Sequence, residues 1–547
     1  MTTRTETHAA PAADRQPSAI LSRWLRSPTA LAAFAVVVGV ALRLWYLTTP
    51  QAALDGDEAM TGLMVRRILD GHWYAYLAGQ RYNGAIEQYL QALVWAVLPQ
   101  NPFTLRLTQV ALAALVIVMI YLVGARMLAT RWHAALAALL FATGPFFNIW
   151  KGVRSHGAYP TAQLIGLAGV YCALRLRERY QRRWLLGLAG ACGLGLWASW
   201  SAAFLLIPAV VYALPALWRH ARHRWSDLAL AGLALLLGYV PALAWAVANG
   251  SVPLLGGSQP QRTPWERLES LASPVLREFV GVGYRYGRPG WPLVAQFALV
   301  AVLAAAYLVA VYRRLVSRGR ADDHDPVGAD IEPAPRPTDI LLLAVPVTAV
   351  LYALSKYTWF IGEPRYLFAA YPALALGVAA LIPAAGRRAV AAGAAVTLLW
   401  AGTSAGLLAA HHDDGQGDLS ACYRTVADWL QSHRITVVYS DYWTGLPMQL
   451  AAGDRITVGL VEGGYSKFPE NRRAADAVAD PVYVAGHVID PMDLETDDVQ
   501  LLDRTFAAHG MTTQRTEVAC TVVYQHWRPL HWPWELGIGY PPLPPAG

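Results

Sequence analysis

The chain has 547 residues, of which 55% are hydrophobic and only 15% charged. Soluble globular domains carry about 25% charged residues, so a chain this poor in charge cannot cover several soluble cores, and its bulk must face lipid. The net charge of +7 does not point to nucleic acid: nearly all of the 44 basic residues are arginine, set in short clusters between apolar stretches, with no basic-aromatic stripe.

About eleven apolar stretches follow one another, each roughly 17–22 residues long, which is the length a helix needs to cross a bilayer. They lie near 29–49, 104–125, 133–150, 159–175, 184–199, 202–218, 228–248, 291–312, 339–355, 366–385 and 389–409. The fifth and sixth form one long run, split at Ser199-Trp200-Ser201. Arg43 falls near the outer end of the first stretch, from where its side chain is expected to snorkel to the headgroups. The polar tail over 1–28 holds Arg4, Arg15, Arg23 and Arg26, and further clusters stand at Arg126/Arg131, Arg175 to Arg183, Arg219/Arg222/Arg224, Arg313 to Arg320 and Arg387/Arg388. With eleven crossings and a cytoplasmic N-terminus, every cluster lands inside, as the positive-inside rule requires. The tail is too polar, and the first apolar run too long, for a cleaved signal peptide. The expected organisation is a cytoplasmic tail over 1–28, a transmembrane module over 29–409 and an extracytoplasmic domain over 410–547. Outer loops at 50–103 and 249–290 are long enough to be functional.

The C-terminal region reads as a small α/β layer. Val437-Val438-Tyr439, Val482-Tyr483-Val484 and Thr521-Val522-Val523-Tyr524 have strand character, with helical patterns at 423–430, 474–478 and 499–507 between them. Cys422 and Cys520 both fall here, outside the membrane, where a disulfide would persist; two buried thiols are the other reading. Trp527, Trp532 and Trp534 would anchor the tail at the membrane surface or line a sugar platform.

Chemistry concentrates in the first outer loop. Asp55, Asp57 and Glu58 stand within four residues, directly after the first crossing. Acids at a helix start can simply cap it and complement its dipole. They can also form a reaction centre. The segment after them places Met60, Leu63, Met64 and Ile68 at helical spacing, with Arg66 and Arg67 on another face, which predicts a helix lying along the membrane. A second amphipathic segment holds Glu87 and runs through Leu90, Leu93, Val94 and Val97 to Pro99.

This arrangement resembles the GT-C glycosyltransferases, and more closely their bacterial branch related to protein O-mannosyltransferases and the aminoarabinose transferase of lipid A. Asp57-Glu58 stands where that superfamily places an acidic motif at the start of its first outer loop. Phe103-Thr104-Leu105-Arg106-Leu107 is similar to the motif that opens the second crossing, Glu363-Pro364-Arg365-Tyr366-Leu367 to one that opens a late crossing, and Ser440-Asp441-Tyr442-Trp443 to the opening of the C-terminal domain. The chain departs from the aminoarabinose transferases at Gly84-Ala85-Ile86-Glu87, where a Lys-Pro-Pro-like stretch would be expected.

The resemblance implies a polytopic α-helical enzyme of the bacterial plasma membrane, with a polyprenyl-phosphate sugar as donor and a protein, glycan or glycolipid as acceptor. A carboxylate must take the acceptor proton, a role assigned to Asp57 with Glu58 as its nearest competitor. Glu87 would orient the acceptor. The leaving lipid phosphate needs fixed positive charge, for which Lys151, Arg154, His156, Lys356 and Arg365 are the outer-face candidates. No cofactor is required, although Asp55-Gly56-Asp57 has a spacing that could hold a divalent cation, with Asp55 otherwise a substrate-binding residue. The rival classes are a secondary transporter, which would place ionisable groups at mid-membrane, and a polysaccharide ligase or polymerase using a lipid-linked substrate.

Overall fold

A computed structural model describes residues 27–221, 224–250, 262–284, 290–322, 335–356, 358, 361–383, 386–411, 419–453, 455–461, 467–486 and 498–528. Each of the eleven apolar stretches is helical. The first is α1 (Pro28–Tyr46), started by Ser27, whose side chain accepts from Ala30 N at 3.1 Å, with Pro28 at the first helical position. Two helices of the loop over 50–103 follow, α2 (Gly56–Leu69) and α3 (Ile86–Trp95). The second apolar stretch is α4 (Pro102–Met127), opened by a reciprocal capping box between Asn101 and Thr104. The third is broken into α5 (Arg131–Thr143) and α6 (Phe146–Gly152), bent by 68°. Next come α7 (Tyr159–Glu178), α8 (Arg182–Ala198), α9 (Ala203–Ala221), α10 (Trp225–Asn249), α11 (Leu293–Asp322), α12 (Asp339–Leu354), α13 (Tyr371–Ala380) and α14 (Arg387–Ala410). A single turn at Trp200–Ala202 separates α8 from α9, at the split read from the sequence.

Among the described residues, six helices are long and apolar enough to cross a membrane, and the bent α5–α6 pair makes a seventh. The other four are shorter or less apolar. The apolar windows of α10 and α11 are scarcely buried, with Val247 and Val294 open. Such surface is stable only in lipid.

The break in the third stretch corrects the reading of Arg43. Pro145 supplies no N–H, so the end of α5 leaves carbonyls without helical partners. Arg43 is buried, and its Nη1 donates to Ala142 O at 3.2 Å and to Gly39 O at 3.1 Å. It caps the broken helix from the side and does not reach the headgroups. Gly144 permits this bend to pack closely, because a Cβ there would lie 2.4 Å from Ser404 Oγ on α14.

The C-terminal region is a five-stranded sheet in the order β2-β1-β3-β5-β4: β1 (Val437–Ser440), β2 (Thr457–Leu460), β3 (Tyr483–Gly486), β4 (Thr512–Val518) and β5 (Thr521–Arg528). β1 is parallel to β2 and β3, and β5 is antiparallel to β3 and β4. Its helices are α15 (Ser420–Ser432), α16 (Tyr442–Ala452), α17 (Pro469–Asp476) and α18 (Asp498–Ala508). Cys422 and Cys520 are disulfide-bonded, tying α15 to the turn between β4 and β5. Side chains alternate across the sheet with period two. Tyr439, Val522 and Tyr524 pack under α18, while Val438, Val484 and Val523 face the other way.

That second face corrects the reading of the first outer helix. Met60, Leu63 and Met64 of α2 are buried in one core with Leu446 and Leu450 of α16, so the apolar face of α2 is roofed by protein and not by lipid. Each fully buried side chain of this kind contributes about 1.5–3 kcal/mol. Arg66 Nη2 donates to Leu450 O at 3.0 Å, and Arg67 lies 3.9 Å from the Phe468 ring and pairs with Glu470. The loop over 50–103 and the C-terminal unit form one packed body. α3 leaves Leu93 exposed, as is Val97 just past its end. The tryptophans Trp532 and Trp534 lie outside the described residues.

Candidate active site

The site starts at the cap of α2. Asp55 is the N-cap, and its Oδ1 accepts from Glu58 N at 3.0 Å. Successive helical residues are about 100° apart, so the cap sends Glu58 and Asp57 in different directions. Glu58 turns inward and is fully buried. Its Oε1 accepts from Arg106 Nε at 2.8 Å and from Ser155 N at 3.1 Å, and its Oε2 accepts from Arg154 Nη1 at 3.2 Å. Burial alone would push the Glu58 carboxyl up, but Arg106 and then Arg154 outweigh it and hold it below the usual carboxylate range.

Asp55 is tied in a similar way. Arg154 Nη1 donates to Asp55 Oδ2 at 2.9 Å, and His156 Nε2 lies 2.7 Å from the same oxygen. Burial opposes ionisation here too, but His156 and Arg154 outweigh it, and the carboxyl is held far below its ordinary value. Arg154 also donates to Ala53 O at 3.1 Å, which fixes the approach to α2. Lys151 Nζ lies 2.6 Å from His156 Nδ1 and 3.8 Å from Glu363 Oε1, and Glu363 pairs with Arg365. The ammonium is donor only, so it assigns the imidazole proton to Nε2, facing Asp55. A polar network therefore runs from Arg106 through Glu58, Arg154 and Asp55 to His156, and on through Lys151 and Glu363 to Arg365.

Asp57 stands outside these pairs. It is half-buried, its Oδ1 accepts from the Tyr442 hydroxyl at 2.7 Å, and it is within electrostatic reach of Lys151 and Lys467. Of the positions read from the sequence, Asp55, Glu58, Lys151, Arg154, His156 and Arg365 meet in one network, with Asp57 at its edge. Lys356 lies exposed just past α12. Glu87 corrects its expected role. It is fully buried, with Oε1 accepting from Thr161 N at 3.2 Å and Thr161 Oγ1 at 2.7 Å, and Oε2 accepting from Gln109 Nε2 at 2.7 Å. It clasps α3 to α7 and α4 and presents no free oxygen to an acceptor. Burial pushes its carboxyl up to about 7, against the lowering effect of those bonds.

Four participants were not singled out by sequence reasoning: Arg106, Glu363, Tyr442 and Lys467. The first three sit inside the quoted motifs, but a motif does not say which side chain faces which. Lys467 carried a signal of its own. Only Lys151, Lys356 and Lys467 are lysine in this arginine-rich chain, and two of those three lie within electrostatic reach of Asp57.

Among the described residues, Asp55, Glu58 and His156 form the one cluster with metal-ligand spacing, their ligand atoms lying within 4.8 Å of one another; Asp57 is not part of it. The cluster is a poor cation site, because Arg106, Arg154 and Ser155 N already occupy the carboxylate oxygens. Two guanidinium groups stand where a metal would bring its charge.

The model of a family described as dolichyl-phosphate-mannose-protein mannosyltransferase matches residues 85–245. The undecaprenyl phosphate-alpha-4-amino-4-deoxy-L-arabinose arabinosyl transferase of Pseudomonas aeruginosa (strain LESB58) is 32% identical over 244 residues. That match spans 42% of this chain and 41% of the curated relative. The crystal structure of ArnT from Cupriavidus metallidurans bound to undecaprenyl phosphate is similar with a TM-score of 0.55 at 13% identity, covering 93% of this chain and 98% of that one. The last likeness shows the fold. The three together support the resemblance read from the motifs.

Proposed function

We propose that this chain is a GT-C glycosyltransferase of the aminoarabinose and mannosyltransferase branch, which moves a sugar from a polyprenyl-phosphate donor to an acceptor hydroxyl at the outer face of a bacterial membrane. Transfer inverts the anomeric carbon, and Asp57 is the general base. The observation that carries this reading is the division of labour among three neighbouring acids. Asp55 and Glu58 are saturated by Arg154, Arg106 and His156. Asp57 is held by a neutral hydroxyl and keeps a carboxylate oxygen for a proton.

The electron flow accounts for the cations. Asp57 takes the acceptor proton, the acceptor oxygen attacks the anomeric carbon, and the bond from that carbon to the phosphate oxygen breaks with its electron pair going to the lipid phosphate. The phosphate changes from a diester to a more highly charged monoester. In this reading Lys151 and Arg365 hold that growing charge, a role supported by their shared neighbour Glu363. Arg106 and Arg154 brace the turn and do not touch the donor. The catalytic step needs no divalent cation.

The same reading sets the topology: eleven crossings, a cytoplasmic N-terminus and an extracytoplasmic unit over 410–547. Alkaline phosphatase fused to the C-terminus is active in that arrangement, and an inactive reporter would remove it. For the reaction, purified protein is incubated with a polyprenyl-phosphate sugar in EDTA. The expected result is release of the lipid phosphate and a sugar of inverted configuration by NMR. Retained configuration, or solute uptake into vesicles without donor turnover, would contradict the reading.

A further inference from the structure

We propose that Tyr442 is a positioning residue for Asp57, so that the C-terminal α/β unit completes the active site. The inference rests on the reading of Asp57 as general base. It starts from one bond, the Tyr442 hydroxyl donating to Asp57 Oδ1 at 2.7 Å between residues 385 apart in sequence.

The sheet topology explains why a residue of this unit arrives there. β1 is flanked by β2 on one side and β3 on the other, both parallel to it. The chain leaves β1 toward β2 through α16 and reaches β3 only after α17, so the carboxyl end of β1 is a topological switch point, where open α/β sheets form their binding crevice. Asp441 and Tyr442 are the first two residues past that end. The opening of α2 closes against it.

Tyr442 is fixed from several sides. It is the first residue of α16, whose cap Asp441 is buried and accepts from Trp443 N at 2.7 Å and Thr444 N at 2.8 Å. Its ring packs edge-on against Trp443 at 5.1 Å, and Lys467 Nζ lies 6.0 Å from the ring centroid. Lys467 follows β2, the neighbouring parallel strand, so it reaches Asp57 from the same edge of the sheet. On the other side the ring meets the backbone of Gly56, where a Cβ would lie 2.7 Å from Tyr442 Cδ1.

A phenol held this rigidly does two things for a carboxylate. It occupies Oδ1 and sets the plane of the group, which leaves Oδ2 to meet the acceptor hydroxyl in one orientation. It also donates without adding a charge to the site, unlike the guanidinium partners of Asp55 and Glu58. The tyrosine gains and loses no proton in the cycle.

A double-mutant cycle in the full chain tests this, with a polyprenyl-phosphate sugar as donor. Tyr442→Phe keeps the ring and removes only the hydroxyl. The expected result is kcat lower by about tenfold, with the donor KM and the thermal midpoint close to those of the parent. In the Asp57→Asn background the same change should cost less than about twofold, because the group it positions is gone. Leu446→Ala, a buried packing change on the same helix, serves as the control; it should lower the thermal midpoint and leave kcat of the folded protein unchanged. Equal losses from Tyr442→Phe in both backgrounds, or an unchanged kcat, would overturn the positioning role while leaving Asp57 as base. Full turnover by Asp57→Asn alone would overturn both.

Discussion

Glu58 Oε1 accepts from Arg106 Nε at 2.8 Å, a contact that spans 48 residues and joins the first turn of α2 to the start of α4. Both side chains are buried. Removing Arg106 leaves the buried Glu58 carboxylate with Arg154 and Ser155 N alone, and breaking a buried ion pair costs about 3–5 kcal/mol. Arg106→Ala should therefore lower the thermal midpoint in detergent sharply. Glu58→Gln keeps the shape and should cost less turnover than Asp57→Asn. A Glu58→Gln protein of parental stability with turnover as low as that of Asp57→Asn would mean that the two acids act together.

Gly56 separates Asp55 from Asp57 and touches Tyr442. A Cβ on it would lie 2.7 Å from the Tyr442 carbonyl oxygen, and backbone at that distance cannot yield as a flexible side chain can. Glycine to alanine in a helix ordinarily stabilises by about 1 kcal/mol. Gly56→Ala should do the opposite, lowering both the thermal midpoint and turnover as α16 is pushed away from α2. Unchanged turnover would show that the close approach is not needed.

Much of the architecture was legible because lipid imposes a simple rule. A stretch that must hide every backbone group in hydrocarbon is apolar and helical, and all eleven apolar stretches are helical, six of them as single helices long and apolar enough to cross a membrane among the described residues. Three strands of the C-terminal unit were equally plain from their β-branched runs. β2 (Thr457–Leu460) was not among them, and β4 was hidden because Thr512–Val518 is a largely exposed polar strand at the sheet edge. α16 escaped notice because Gly445 and Pro447 lie inside it. The acidic turn announced the site, but its partners come from regions 48 to 385 residues away, and no periodicity connects them. Arg43 was misread for a related reason: the carbonyl it caps is exposed by a break in a different helix.

Arg365 pairs with Glu363, which also lies near Lys151. Arg365→Ala should weaken donor use strongly, while Arg365→Lys should restore part of it, since lysine keeps the charge and loses the planar fork. Initial rates against donor concentration check this. Parental rates in Arg365→Ala would assign the phosphate to Lys151 alone.

Glu87 gives a pH signature that is independent of catalysis. Burial raises its carboxyl from an ordinary 4.5 to about 7. Between those values the folded protein holds a proton that the unfolded chain has released, so its contribution to stability falls as pH rises through the window. The whole shift corresponds to about 3 kcal/mol. Glu87→Gln should flatten the dependence of the thermal midpoint on pH between about 4.5 and 7 and be the more stable protein above it. The same slope in parent and variant would assign the effect elsewhere.

The most direct test of the account is the turnover of Asp57→Asn. Asparagine keeps the size and can still accept from Tyr442, but it cannot take a proton. The protein should purify as a monodisperse species with a parental thermal midpoint, and its transfer rate from a polyprenyl-phosphate sugar should be lower by roughly 10²–10⁴, the usual contribution of a general base. A folded Asp57→Asn protein that transfers sugar at the parental rate would contradict the account.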